Sequence, residues 1–176
     1  MGAMVETKGP ADPIKSAGGD ELLQLVTFNL GNEEYAVAIL KVQEINRMKE
    51  ITRVPNAPPY VEGVINLRGK VIPVVNLRSK FGLDNKENNE HTRIMIMDVQ
   101  GITMGLVVDS VSEVLRIPSS TVEPTPPMAS NISAEFIKGI AKMDERLIIL
   151  LDMDRLLGKA GGAEMMEVAT KAIENK

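Results

Sequence analysis

The chain has 176 residues, of which 44% are hydrophobic, and its formal net charge is −4 at pH 7. This hydrophobic share is enough for a buried core, whereas the negative charge argues against a general nucleic-acid binder, which normally presents a basic face. The absence of cysteine excludes disulfides, thiolate metal sites and cysteine nucleophiles, and it fits a reducing compartment.

The start of the chain has the features of neither a signal peptide nor a membrane anchor. No apolar run approaches the ~18 residues that cross a bilayer, and residues 1–20 are polar and interrupted by glycine and proline. We therefore expect a cytoplasmic protein whose residues 1–21 form a disordered tail.

The segment that follows this tail has the pattern of a β-hairpin. Apolar and polar residues alternate over residues 25–30, Gly31 and Asn32 follow as a turn pair, and an apolar run returns over residues 35–39. The pattern predicts two antiparallel strands joined by a tight turn.

Short apolar runs farther along the chain predict buried strands. Residues 71–75 and 147–151 are continuous apolar runs of strand length. Because Pro73 cannot donate a ladder hydrogen bond, its strand should lie at a sheet edge or carry a bulge there. Helices are predicted at residues 78–81, at residues 155–157 and over residues 163–173, where Met165, Ala169, Ala172 and Ile173 share a face.

The chain contains an internal repeat. At an offset of 76 positions, residues 61–82 align without a gap on residues 137–158, and ten of these 22 positions pair apolar with apolar. At an offset of 69 positions, residues 35–45 align on residues 104–114. The alternative is a chance similarity between two apolar strands.

The repeat predicts an all-β protein of two related five-stranded β-barrels packed together. The first barrel is expected over residues 22–82 and the second over residues 92–158, with residues 83–91 as a polar linker. Residues 159–176 are expected to form a C-terminal tail or helix that packs back onto the first barrel.

The inventory of reactive side chains predicts no catalytic residue, metal or cofactor. His91, the one histidine, stands in the polar linker without an acid or thiol partner at metal-ligand spacing. Asp152 is interpreted as a strand-end or helix-capping residue, because the repeat places Asn76 at the matching position. The competing function is an enzyme or nucleotide-binding module that uses Asp144, Asp152 and Asp154, which cation- or nucleotide-dependent thermal stabilisation would support.

An arginine and a glutamate are candidate contact residues. Arg68 and Gly69 are predicted to form a tight turn, with Gly69 at positive φ. Arg68 is then either a solvated turn residue or an arginine held at a binding groove, where its planar guanidinium can bind a carboxylate. Glu44 shares a strand face with Val42, and an acid on a half-apolar face needs a partner, for which Arg68 is the candidate.

Several methionines give the second barrel adaptable apolar bulk: Met95, Met97, Met104, Met128, Met143 and Met153. Most are predicted to fill the core, and some to line a surface that accommodates a partner helix.

Residues 61–77 closely resemble the hallmark stretch of the CheW family, the coupling proteins of bacterial chemotaxis. The resemblance covers residues 22–158 and implies two SH3-like barrels around a shared apolar core. It also implies a non-catalytic adaptor that links the histidine kinase CheA to the cytoplasmic tips of chemoreceptors in membrane-attached arrays. The length leaves no room for a kinase or receiver domain, which favours the free-standing coupling protein. The alternative is a CheW-like protein of a chemosensory system that controls an output other than swimming.

The resemblance implies two contact surfaces. The kinase-binding surface, which meets the regulatory domain of CheA, comprises Val42, Gly63, Glu123 and Met128. The receptor-binding surface lies in a groove between the barrels and comprises Glu44, Arg68, Val111 and Val114. The Pro-rich loop that contains Glu123 and Met128 is the part that matches the family least well.

Overall fold

The computed structural model describes residues 14–15, 21–84, 87–124, 136–157, 168 and 170. The strands are β1 (Ile14–Lys15), β2 (Glu21–Leu30), β3 (Glu33–Ala38), β4 (Val42–Arg47), β5 (Val61–Leu67), β6 (Lys70–Asn76), β7 (Arg93–Val99), β8 (Ile102–Val108), β9 (Ser110–Pro118), β10 (Val122–Glu123), β11 (Ile137–Met143) and β12 (Arg146–Leu151). The α-helices are α1 (Leu77–Lys80) and α2 (Met153–Leu157), and short 3-10 turns lie at Ile39–Lys41 and Ser119–Thr121.

The strands form two sheets with the same internal order. One sheet runs β9-β2-β3-β12-β11-β10, with β1 added to β2, and the other runs β4-β7-β8-β6-β5. In each sheet two antiparallel hairpins meet in one parallel pair, which is β3 with β12 in the first and β8 with β6 in the second. The predicted all-β architecture of two small packed barrels is confirmed.

The first hairpin forms where its pattern predicts it. Leu30 pairs with Glu33 across the two-residue turn, and Gly31 takes a φ of 61°. A glycine at the first turn position is typical of hairpin turns, because the positive φ there costs glycine little.

Pro73 lies neither at a sheet edge nor at a bulge of its own strand, so both predicted alternatives are wrong. Its strand, β6, is an inner strand between β5 and β8. Across from Pro73 stands Val64, whose N–H and C=O both bond to Thr52 at 2.8 Å. Val64 therefore needs no hydrogen bond from Pro73. On the other side of β6, pairing with β8 begins only at Val74, so the absent N–H of the proline leaves no ladder bond broken.

The two short helices form close to their predicted positions and share one capping device. The Asn76 side-chain oxygen accepts from the Ser79 N–H at 3.2 Å at the start of α1. The Asp152 side-chain oxygen accepts from the Arg155 N–H at 3.1 Å at the start of α2. The interpretation of Asp152 as a capping residue is confirmed.

Two residues of the predicted C-terminal helix are described. Val168 and Thr170 are helical, and Val168 is buried in a small cluster with Val54 and Val64. Met165, Ala169, Ala172 and Ile173 lie outside the described residues.

Each sheet takes strands from both sequence repeats. Hairpin β2–β3 of the first repeat joins β9, β11 and β12, whereas hairpin β7–β8 of the second repeat joins β4, β5 and β6. The ranges 22–82 and 92–158 therefore delimit the sequence repeats. Neither range by itself contains all the strands of one sheet. A repeat shows which strands are alike, but it does not show which of them pair.

The two repeats match in their irregularities as well as in their strands. Strand β4 has a register shift between Val42 and Glu44, and β9 has one between Val111 and Glu113, at positions that align in sequence. Strands β5 and β11 each shift register just before a matching glycine. The shared strand order and shared bulges confirm the duplication.

The main apolar core lies between the sheets and belongs to both. It combines Phe28 and Tyr35 of the first sheet with Met95 and Leu106 of the second. The methionines mostly fill this core, as predicted: Met95, Met97, Met104 and Met153 are at most 4% exposed, Met143 packs against a smaller cluster, and Met128 lies outside the described residues.

Candidate partner-binding surfaces

Glu44 and Arg68 form the ion pair that the sequence suggests. The Arg68 guanidinium donates to both carboxylate oxygens, with Nη1 at 3.3 Å from Oε1 and Nη2 in contact with Oε2. Asn46 donates to the same carboxylate at 3.2 Å. Since β4 and the β5–β6 hairpin stand at opposite ends of the sheet order, this pair connects the two ends of the barrel.

The arginine of this pair is exposed, and each member shifts the pKa of the other so that both stay charged. The Arg68 side chain is 71% exposed and that of Glu44 is 27% exposed. The hydrogen bonds from Arg68 and then from Asn46 lower the pKa of Glu44, and the bond to Glu44 raises the pKa of Arg68. Because solvent screens an exposed pair, it contributes little to stability, and its position on the surface is the more informative property.

The turn that presents Arg68 is set by three neighbouring residues. Gly69 has a φ of 87°, as predicted, but Arg68 itself also has a positive φ, of 52°. The Asn66 side chain accepts from the Gly69 N–H at 2.9 Å and closes the turn. A non-glycine residue in this region is uncommon, so the turn holds the arginine in a conformation that it would rarely adopt freely.

A pocket of about 240 Å³ opens beside this arginine. Its described wall consists of Gln43, Leu67, Arg68, Lys70, Ile72 and Thr103. Two cations and two neutral polar groups line it; because Arg68 is already paired with Glu44, Lys70 is the cation outside that pair that could attract a further carboxylate.

The predicted valines occupy different environments. Val42 and Val111 stand at matching positions of β4 and β9 and pack, partly buried, against the shared core. Val114 is 56% exposed on β9 and is free for contact. Ile45, its counterpart on β4, is 40% exposed and was missed. The repeat alignment could have identified Ile45, because its last aligned position matches Ile45 with Val114.

A second charged cluster was also missed. Arg146, at the start of β12, lies 2.6 Å from Glu34 and 2.9 Å from Glu113. These two carboxylates, Glu34 first, raise the pKa of Arg146. Glu113 is the repeat counterpart of Glu44, so each barrel pairs the same edge-strand glutamate with an arginine near a hairpin turn.

Gly63 is a packing residue. It is buried at a φ of 149°, and a Cβ there would lie 2.1 Å from the Thr52 carbonyl oxygen. At Gly139, the matching position, a Cβ would lie 2.6 Å from a Val122 methyl. In both barrels the missing side chain admits a crossing backbone segment, so Gly63 can affect a partner only through the position of its neighbours.

The remaining predicted kinase contacts are not brought together with Val42. Glu123 is exposed on β10, in the other sheet, where its carboxylate lies 3.4 Å from the Lys142 ammonium. Met128 lies outside the described residues.

The titratable residues considered for chemistry are dispersed. His91 is exposed and lies 3.4 Å from Glu90. Asp144 stands in the β11–β12 turn at a φ of 53°. Across the residues that the structure describes, no group of histidine and acidic side chains could hold a metal ion. In that same part of the chain, no helix has the length and hydropathy of a membrane span.

Known proteins are similar to this chain in sequence and in fold. The profile of a family described as CheW-like domain matches residues 24–161. Chemotaxis protein CheW of Klebsiella aerogenes is 37% identical, over 92% of this chain and 97% of its own length. Chemotaxis protein CheW of Helicobacter pylori is 37% identical, over 82% and 87% respectively. The crystal structure of scaffolding protein TtCheW from Thermoanaerobacter tengcongensis matches with a TM-score of 0.72 and 38% identity, over 79% of this chain and 94% of that one.

Two SH3-like barrels around a shared core, together with the similarity to these proteins, define a non-catalytic scaffolding protein. The chain belongs to the CheW family of chemotaxis coupling proteins. The resemblance found in residues 61–77 is thereby confirmed.

Proposed function

We propose that this protein couples the histidine kinase CheA to the cytoplasmic tips of chemoreceptors. In this role it resides in the cytoplasm and is recruited to membrane-attached receptor arrays. The observation that carries the proposal is the exposed Glu44–Arg68 pair, held by a strained turn at the edge of a barrel. A pair that contributes little to stability but is held in a costly conformation is typical of a contact site.

The receptor-binding surface that we propose centres on this pair. Arg68 offers its exposed guanidinium and the adjoining pocket to a carboxylate on the receptor tip. Val111 and Val114 lie on β9 of the other sheet and are assigned to this surface from the family resemblance. Val114 offers exposed apolar area of the kind that forms the centre of interfaces, and Val111 packs against the core. We add Ile45 as a candidate because it is 40% exposed and is the repeat counterpart of Val114.

The kinase-binding surface that we propose has a direct and an indirect part. Val42 and Glu123 are accessible enough to touch the regulatory domain of CheA, and Met128 is assigned with them from the family resemblance. Gly63 contributes by allowing Thr52 to cross β5 closely. A side chain there would move that segment and any contact that depends on it.

The test is a pair of titrations, one against a receptor-tip fragment and one against the regulatory domain of CheA. Arg68→Ala should weaken receptor binding by about tenfold, equivalent to ~1.4 kcal/mol, and leave kinase binding unchanged. Val42→Glu should show the reverse, because it places a charge in an apolar contact. His91→Ala is the matched control, since His91 is exposed in the linker and should change neither titration.

Circular dichroism of each variant reports whether the fold is intact. If folded Arg68→Ala binds both partners normally, the receptor-binding surface is assigned wrongly. If the wild-type chain binds neither fragment, the coupling function itself is wrong.

A further inference from the structure

A groove on the first sheet has no role in the surfaces proposed above. It has a volume of about 420 Å³ and lies between β2, β3, β12 and the 3-10 turn Ile39–Lys41. This volume is within the range of about 300–1,000 Å³ that is typical of small-molecule sites.

The wall of the groove is aliphatic. Its apolar side chains include Leu22, Leu25, Val37, Ile39, Leu40 and Val122. Leu40, which lines the groove, is 54% exposed and so adds accessible apolar area to it. Since the described wall contains no aromatic ring, a flexible alkyl chain fits it better than a flat ring system.

One cation stands on this wall. Lys138 of β11 lines the groove and is exposed, and within the described residues it belongs to no ion pair. Lys142, on the same strand, is paired with Glu123 instead. The polar side chains that accompany Lys138 on the described wall, Gln24 and Ser119, are neutral.

We propose that this groove binds a medium-chain alkyl carboxylate. The alkyl tail lies along the aliphatic wall, where its transfer from water is favourable, and the carboxylate is held by the Lys138 ammonium. The chain as a whole is negatively charged, so the selection of an anion depends on this local cation. The proposal is independent of the coupling function.

The experiment titrates the full chain with decanoate and follows the methyl NMR signals of leucine, isoleucine and valine. Saturable shifts are expected at Leu25, Ile39 and Leu40, and not at the exposed Leu147 of the outer surface. Acetate, which lacks the tail, should cause no such shifts, and 1-decanol, which lacks the charge, should bind more weakly than decanoate.

Two variants test the two ends of the ligand. Lys138→Gln should weaken decanoate binding about two- to fivefold, as expected for an exposed ion pair, while the matched variant Lys142→Gln should leave it unchanged. Ala38→Leu, which fills the groove, should weaken binding more than tenfold.

The proposal is overturned if decanoate causes no saturable shifts at these methyl groups. It is also overturned if 1-decanol binds as tightly as decanoate, or if Lys138→Gln and Lys142→Gln behave alike. If only the CheA domain or the receptor fragment shifts these signals, the groove is a protein contact and not a carboxylate site.

Discussion

Arg78 and Asp109 form a largely buried, two-pronged ion pair that ties the two sequence repeats together. The distances are 2.9 Å from Nε to Oδ1 and 2.6 Å from Nη2 to Oδ2, and the side chains are 15% and 14% exposed. Asp109 also accepts from the Gly31 N–H at 2.8 Å, and Arg78 donates to the Asp84 carbonyl at 2.9 Å. The pair thus holds α1, the β8–β9 junction and the first hairpin turn at one point.

Arg78→Ala should destabilise the protein by about 2–3 kcal/mol. It leaves the Asp109 carboxylate largely buried without its cation, which in a fully buried pair costs ~3–5 kcal/mol. The measurement is urea denaturation, with Arg116→Ala as a control because Arg116 is exposed on β9. A loss no larger than that of the control would show that the other partners of Asp109, among them the Gly31 N–H, satisfy it without Arg78.

Gly63→Ala should destabilise by about 3 kcal/mol or more, because its Cβ would collide with the Thr52 carbonyl and its φ of 149° disfavours a side chain. Gly69→Ala is the matched control: its φ is also positive, at 87°, but a Cβ there meets nothing within 4 Å. That variant should lose only the ~1–2 kcal/mol of backbone strain. Equal losses in the two variants would mean that close packing at Gly63 contributes nothing.

The Glu44–Arg68 pair predicts a specific titration of Glu44. The pKa of this carboxyl is lowered from its usual 4.5 by Arg68 and Asn46. A lowered folded-state pKa means that the pair's contribution is complete above the usual value and is lost as the pH falls through the lowered one. In Arg68→Ala, the midpoint measured by carboxyl NMR should rise toward 4.5 but stay below it, because Asn46 still donates. Identical midpoints in the two proteins would show that the pair does not persist in solution.

The parts of this fold that are local in sequence could be predicted from sequence. The hairpin turns at Gly31 and Gly69 and the cap at Asp152 depend on residue type and spacing, and each was found. The Glu44–Arg68 pair is not local, since 24 positions separate its members, and it was found because an acid on a half-apolar strand face needs a cation. The repeat itself was equally visible, because burial requires apolar residues at the same positions in both copies.

The features that depend on strand pairing between distant segments could not be predicted. Arg146 meets Glu34 across a parallel pair more than a hundred residues apart in sequence, and no periodicity indicates that contact. Pro73 was expected at an edge or a bulge because a proline cannot donate a ladder hydrogen bond, but the Val64 backbone opposite it bonds to Thr52 instead. The exchange of hairpins between the repeats could not be predicted either, because it also depends on which distant strands pair.

That exchange predicts how the chain should behave when it is divided. Separate fragments of residues 1–87 and 88–176 should each fail to fold, and a mixture of the two should recover the native protein. In the first fragment, β4, β5 and β6 lack the hairpin β7–β8, while β2 and β3 lack both β9 and β12. The second fragment has the reciprocal defect. Each fragment alone would therefore expose the apolar surface that forms the shared core.

Circular dichroism and thermal unfolding of each fragment, and then of the equimolar mixture, measure this directly. The mixture should gain β-signal and a cooperative transition that neither fragment shows alone. A first fragment with Phe28→Asp is the matched control, because Phe28 is fully buried and pairs with Val111 of β9. It should fail to complement, since it places a charge in the shared core. A cooperative transition in either fragment alone would show that one sequence repeat is a folding unit, and the exchanged hairpins would then be dispensable to it.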